Sequence, residues 1–178
     1  MASCDDFAGF DGPRDVPPRQ DGRLMAGCPT EGRFEINGPV VVDNCTGLTW
    51  QRTPPSGQRT WVEALVFASD LELGSFDDWR LPNVNELLSL VDYGRTGPAL
   101  DPVFDVPSDD DVSAPNAHDF WTSTSANSSP VSVAWVVHFT IGDHSVIEKP
   151  LERSVRAVRG GFLPSKLPVA ACELVVSP

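Results

Sequence analysis

The stretch Trp79-Arg80-Leu81-Pro82-Asn83-Val84-Asn85-Glu86-Leu87-Leu88-Ser89-Leu90-Val91-Asp92 leaves the chain few choices. Asn83 followed three residues later by Glu86 is a capping-box pair, in which each side chain satisfies an amide left unpaired at the first turn of a helix. Pro82 fixes the approach, and Val84, Leu87, Leu88 and Val91 recur at the spacing of one helical face. Gly94 stands where a left-handed C-terminal cap is wanted. The spacing predicts a short helix whose apolar face must be covered. Arg80 and Glu86 flank its start closely enough to pair, which reads as an internal brace and not as a catalytic carboxylate.

Thr60 and Glu63 form a second capping box, followed by Trp61, Leu65, Ala68 and Leu71 on one face of a helix expected to end near Gly74. Ahead of it, Phe34–Ile36, Val40–Asp43 and Leu48–Trp50 are short β-type runs separated by the turn signals Asn37-Gly38 and Thr46-Gly47. Further on, Phe120–Thr124 reads as a strand. Val131, Val133, Trp135, Val137 and Phe139 alternate with Ser132, Ala134, Val136, His138 and Thr140, the pattern of a strand half in the core. Gly142-Asp143 turns the chain back into Ser145–Glu148, and Ser154–Val158 supplies another strand. Two helices with several short strands predict an α+β fold.

Several motifs occur in a definite order: Asp43-Asn44, Thr46-Gly47-Leu48, Trp50-Gln51, Trp61 with Glu63-Ala64, and Asp78-Trp79-Arg80-Leu81-Pro82-Asn83 with Glu86-Leu87. They continue with Asp101-Pro102-Val103-Phe104, Phe120-Trp121-Thr122-Ser123-Thr124, Ala134-Trp135 and Val155-Arg156-Ala157-Val158-Arg159-Gly160-Gly161. In that order they resemble, over residues 34–161, the domain named after the C-terminal part of the Legionella collagen-like adhesin. The resemblance implies a bacterial, secreted or envelope-associated domain. It implies a C-type-lectin-like fold, with two helices packed on a small, twisted, mostly antiparallel sheet carrying long loops. Glycan binding and adhesion are the role of the namesake. The Arg-Leu-Pro run with its downstream Glu is also similar to formylglycine-generating enzymes, a distant branch of that fold. Their activity needs a copper-binding cysteine pair late in the domain, where this chain offers only Cys172, so no enzyme is expected.

The chain has a formal net charge of −12, with lysine only at positions 149 and 166. That balance repels phosphate backbones and anionic lipid, which excludes nucleic acid as a partner. It also disfavours the sulfated polysaccharide that the namesake adhesin recognises. A neutral glycan, a cation-bridged glycan or a basic protein surface suits the charge better. No apolar run is long enough to cross a bilayer, so membrane insertion is not expected. No hydrophobic targeting segment precedes the fold, as expected of a chain from which such a signal has been removed. Leu24-Met25-Ala26-Gly27-Cys28 has the form of a lipoprotein cleavage box, but without an apolar stretch before it this is read as coincidence.

Residues 1–33 hold Pro, Gly, Asp and Arg with few apolar residues and form an arm rather than a domain. Residues 34–161 form the domain, and residues 162–178 a tail whose Cys172–Val176 run is a possible edge strand. Four cysteines, Cys4, Cys28, Cys45 and Cys172, permit three pairings. Because terminal strands pair in C-type-lectin-like folds, the resemblance implies Cys45 with Cys172 and Cys4 with Cys28, bridges that require an oxidising compartment.

The segment from Gly94 to Pro115 is rich in proline and glycine and carries Asp109-Asp110-Asp111. It lies where C-type-lectin-like folds present ligand loops, and its three aspartates are the candidate calcium ligands, against a solvated acidic loop as the plainer reading. His118, His138 and His144 are too scattered for a zinc motif. Asp143-His144-Ser145 contains the residue types of a hydrolytic triad at positions too close for its geometry. A ligand site is expected where the 105–119 loop, the Ser125–Pro130 connection and the Gly142–Ser145 turn converge. Asn116, His118, Asp119, Asn127, Asp143 and His144 are its polar members, and Trp121 is a stacking platform or, alternatively, a core residue. The functional expectation is a non-catalytic extracellular or cell-envelope module that binds a glycan or a protein. The alternative is a structural subunit of a homo- or hetero-oligomeric surface assembly that uses its arm and tail for subunit contacts.

Overall fold

The structure is a computed structural model that describes residues 28, 31–95, 97–107, 116–126 and 132–161. The expected arm, apart from Cys28 and residues 31–33, and the tail with its Cys172–Val176 strand lie outside the described residues. The chain divides into two units at Arg33/Phe34.

Strands β1 (Phe34–Asn37), β2 (Val40–Asp43) and β3 (Leu48–Gln51) form an antiparallel meander, with Ile36 opposite Val41 and Val41 opposite Trp50. Both turn signals serve as expected, and Gly38 and Gly47 adopt φ of 60° and 70°, a region that costs other residues energy. Asp43 is fully buried, and its carboxylate accepts the amides of Cys45 and Thr46 at 3.0 and 3.4 Å, tying the second turn to the strand end. Cys45 is exposed on this turn. It is disulfide-bonded to Cys28, which corrects the pairing of Cys4 with Cys28 and Cys45 with Cys172. Closing the shorter loop costs less chain entropy than reaching Cys172. Cys4 and Cys172 lie outside the described residues.

Helix α1 (Trp61–Ser69) and helix α2 (Val84–Leu88) both begin in complete capping boxes, at Thr60/Glu63 and Asn83/Glu86. Both end earlier than their periodicity suggests. α1 stops at Asp70, and Gly74 sits instead in a tight turn where Leu73 and Phe76 bond each other's backbone. α2 stops at Ser89, whose hydroxyl donates to the Glu86 carbonyl at 2.6 Å. Leu90 then enters the core and Val91 forms a bridge with Leu100, so Gly94 caps nothing. Tertiary pairing has overridden helical periodicity here.

Strands β4 (Asp119–Ala126), β5 (Val133–His138) and β6 (Asp143–Glu148) form a second antiparallel sheet in that order, with a register shift in β4 between Trp121 and Ser125. Two sheets thus replace the single sheet expected. β5 is covered on both faces, not half-exposed as its alternation suggests. Val137 and Phe139 join Phe120, Leu87 and Leu90 in one core, while Ala134 and Val136 join Trp121, Ala64 and Ala68 in another. α2 therefore lies over one face and α1 over the other. Residues 154–158, expected as a strand, run between these cores. Only Val158 continues into β7 (Val158–Gly160), which extends the first sheet beside β3, and Ser154 makes a single parallel bridge to Phe120. The α+β class holds. Among the described residues no helix is long and apolar enough to cross a membrane.

Candidate functional site

Strand register assembles a connected polar group on the β4–β5–β6 sheet. Asp119 on β4 faces His138 on β5, which faces Asp143 on β6, and alternation puts Ser145 on the same side of the sheet. His138 Nδ1 lies 2.6 Å from Asp119 Oδ1 and His138 Nε2 lies 2.7 Å from Ser145 Oγ. A carboxylate only accepts, so Nδ1 carries a proton. A neutral ring then accepts the Ser145 hydroxyl at Nε2. On its other side Asp119 meets Arg153 Nε at 3.3 Å, and the Arg153 backbone is fixed by paired 2.9 Å bonds with Arg59. The carboxylate and the guanidinium are only 13% and 15% exposed, so the group is screened from solvent.

Asp119, His138 and Ser145 stand in the order of a hydrolytic relay. Two features oppose that use. The Lys149 amide bonds Ser132 O at 3.0 Å, which fixes the bonded rows of the β5/β6 ladder at 149, 147, 145 and 143. The Ser145 amide is therefore committed to Val136 and is not free to cradle an oxyanion. Arg153 also holds part of the charge on Asp119 that a relay would direct to the imidazole. The arrangement braces the β5–β6 hairpin against β4. The consecutive Asp143-His144-Ser145 forms no triad, because His144 points to the opposite face.

On that opposite face the His144 ring lies 5.3 Å from the Trp135 ring at an interplanar angle of 39°. His144 and Asp143 side chains are 44% and 64% exposed, and Asp143 Oδ1 accepts the His144 amide at 2.7 Å. Tyr93 and Ile141 are exposed near the hairpin tip. Gly142 has φ of 77°, and a Cβ there would stand 2.7 Å from Val91 Cγ1, so only glycine lets the tip lie this close.

Of the three loops expected to converge, residues 108–115 and 127–130 lie outside the described residues, and the described parts are set apart by register. The Gly142–Ser145 turn, Asp119 and the exposed Asn116 share one end of the sheet, whereas Ser125 pairs with Ala134 toward the other, a separation of roughly 14 Å along β5. His118 is buried, with Nε2 3.1 Å from the Pro107 carbonyl, so it anchors a loop. Trp121 is fully buried with its indole N–H donating to Arg59 O at 2.8 Å, which makes it the core residue of the two alternatives. Asn127 and the candidate calcium ligands Asp109, Asp110 and Asp111 lie outside the described residues. Among the described residues no cluster of His, Cys, Asp or Glu is arranged to hold a metal.

The segment leading toward those aspartates is pinned by Arg156, which is fully buried. Its Nη1 donates to the carbonyls of Gln51 and Arg52 at 2.7 and 2.5 Å, and its Nη2 to Asp105 O at 2.6 Å. Burial pushes the guanidinium down to about 9, against the opposing pull of Asp105, so it stays charged at neutral pH. A second surface feature lies near the Ser125 end. Thr60, Trp61, Val62, Ser132, Lys149 and Pro150 line an open groove of about 390 Å³. Lys149 Nζ sits 3.8 Å over the Trp61 ring and 2.9 Å from Ser125 Oγ. His138, Ser145, Arg153, Trp135 and Lys149 were not singled out as site residues from the sequence, because each meets its partner only through strand register or tertiary contact.

A family model described as the Lcl C-terminal domain matches residues 39–159. No curated protein matches the chain.

Proposed function

Because the chain belongs to the Lcl C-terminal domain family, we propose that it is an adhesion module of the bacterial surface that binds a glycan or protein without catalysing a reaction. The observation that carries this reading is the half-exposed Trp135–His144 ring pair beside the exposed carboxylate of Asp143, held on a hairpin that the Asp119–His138–Ser145 brace makes rigid. Aromatic faces stack on the apolar faces of sugar rings, and adjacent acids accept hydroxyl hydrogen bonds or pair with a basic partner. Asn116, at the same end of the sheet, adds a further polar group. The disulfide at Cys28 and Cys45 suits an oxidising exterior. The net charge of −12 favours neutral glycans or basic proteins over sulfated polymers.

A glycan array probed with the intact oxidised chain, with calcium and with chelator, tests the reading. Hits among neutral glycans that weaken at least tenfold in His144→Ala and Asp143→Asn support it. Hits that these substitutions leave unaltered contradict the assignment of the site.

A further inference from the structure

β6 is the outer strand of its sheet and pairs only with β5. With the bonded rows of that ladder at the odd-numbered residues, the backbone N–H and C=O groups of His144, Val146 and Glu148 point away from β5. The opposite edge, on β4, is occupied: Trp121 donates to Ser154 O at 3.0 Å and Ser123 to Pro82 O at 2.7 Å. Among the described residues, the outer edge of β6 has only local partners. The His144 amide meets its neighbour Asp143, and the Glu148 carbonyl accepts the turn bond from Leu151. Val146 at its centre is 42% exposed. An open, apolar-centred edge is a template for another strand.

We propose that this edge is a self-association surface, on which two copies of the chain pair β6 antiparallel about a two-fold axis at Val146, joining their sheets into one of six strands. Charge and hydrogen-bond parity together select this partner and this register. Outward-facing amides must stand opposite one another, which restricts antiparallel pairing to shifts of two residues. With Val146 opposite Val146, His144 faces Glu148 and Asp143 faces Lys149, so each acid meets a basic residue on both sides of the axis. A slip in one direction sets Asp143 opposite Ile147. A slip in the other sets Pro150, which has no amide, opposite His144. The two Trp135–His144 pairs would then share one face of the continuous sheet, giving a bivalent surface. The charge of −12 on each copy opposes the contact, so the dimer is weak and depends on concentration.

Sedimentation equilibrium on the intact oxidised chain up to about 0.5 mM covers the range in which such a contact populates a dimer. The expected result is a monomer–dimer equilibrium with amides 144, 146 and 148 gaining exchange protection as concentration rises. Lys149→Asp weakens it at least tenfold, and the exchanged pair Asp143→Lys with Lys149→Asp restores it. Val146→Pro, checked for an unchanged fold by circular dichroism, abolishes it. A monomer at all concentrations overturns the proposal. So does a dimer indifferent to these variants, which marks another interface, or protection of the three amides in the monomer, which marks an edge covered by the chain's own residues.

Discussion

Arg80 and Glu86 meet through two parallel hydrogen bonds, Nη1 to Oε2 at 2.8 Å and Nη2 to Oε1 at 2.7 Å. The same guanidinium donates to Gly160 O at 3.2 Å, and Glu86 Oε2 accepts the Asn83 amide at 2.8 Å. One ion pair therefore joins the cap of α2 to the end of β7. Burial raises the Glu86 carboxyl, but the hydrogen bonds from Arg80 and Asn83 outweigh it and hold the group below the usual carboxylate range.

A folded-state carboxyl lowered in this way contributes stability above its unfolded value, near pH 4.3, and loses it as pH falls through the folded value. Glu86→Gln is expected to cost about 2 kcal/mol at pH 7, because it leaves a half-buried guanidinium without its counter-charge. Urea denaturation should show the gap between wild type and variant narrowing as pH falls below the unfolded value, because unfolding then takes up a proton at Glu86 that the folded pair resists. A gap that persists unchanged at pH 3 would remove the ion pair as its source.

Arg156 holds three backbone carbonyls with one planar group between Phe104 and Phe120. Arg156→Met is expected to lower stability by roughly 3–5 kcal/mol, since those carbonyls lose their donors inside the core. Arg156→Lys should recover little, because a single ammonium cannot span the three acceptors. Denaturation curves and amide exchange at residues 103–107 check both outcomes.

Ser145 should not react as a nucleophile. A fluorophosphonate probe is expected to leave the chain's mass unchanged, because the relay lacks an oxyanion cradle at the Ser145 amide. Covalent labelling that Ser145→Ala removes would contradict the non-catalytic reading. His138→Ala should instead register as lost stability, about 1–2 kcal/mol, from the orphaned Asp119 brace.

Non-reducing peptide mapping should recover Cys28 linked to Cys45. Cys45→Ala, compared with wild type in thermal unfolding, is expected to lose about 3 kcal/mol of stability on the loop-entropy account. A fragment linking Cys4 with Cys28 would reverse the correction of the pairing.

What could be read directly from the chain was local. Both capping boxes and the turns at Gly38 and Gly47 depend on residues within one turn of each other, and each formed as its spacing implies. The Arg80–Glu86 pair, six residues apart across the helix cap, was legible because the capping box fixes the carboxylate beside the chain that enters it. The early end of α2 was not, because the bridge between Val91 and Leu100 is a tertiary contact. The site was least legible. Asp119, His138 and Ser145 come together only through two strand registers, and a one-residue slip in either would send His138 to the other face. Trp121 and His118 looked like ligand groups because polar and aromatic residues adjoin there, yet burial assigns them to the scaffold.

The most direct test of the central claim is amide and indole chemical-shift mapping of the intact oxidised chain titrated with a neutral glycan selected on the array. The account predicts perturbations at the Trp135 indole and at amides 141–146, at the hairpin end of the β4–β5–β6 sheet. Perturbations confined to Trp61 and Lys149, in the groove of about 390 Å³ near the Ser125 end, would contradict it.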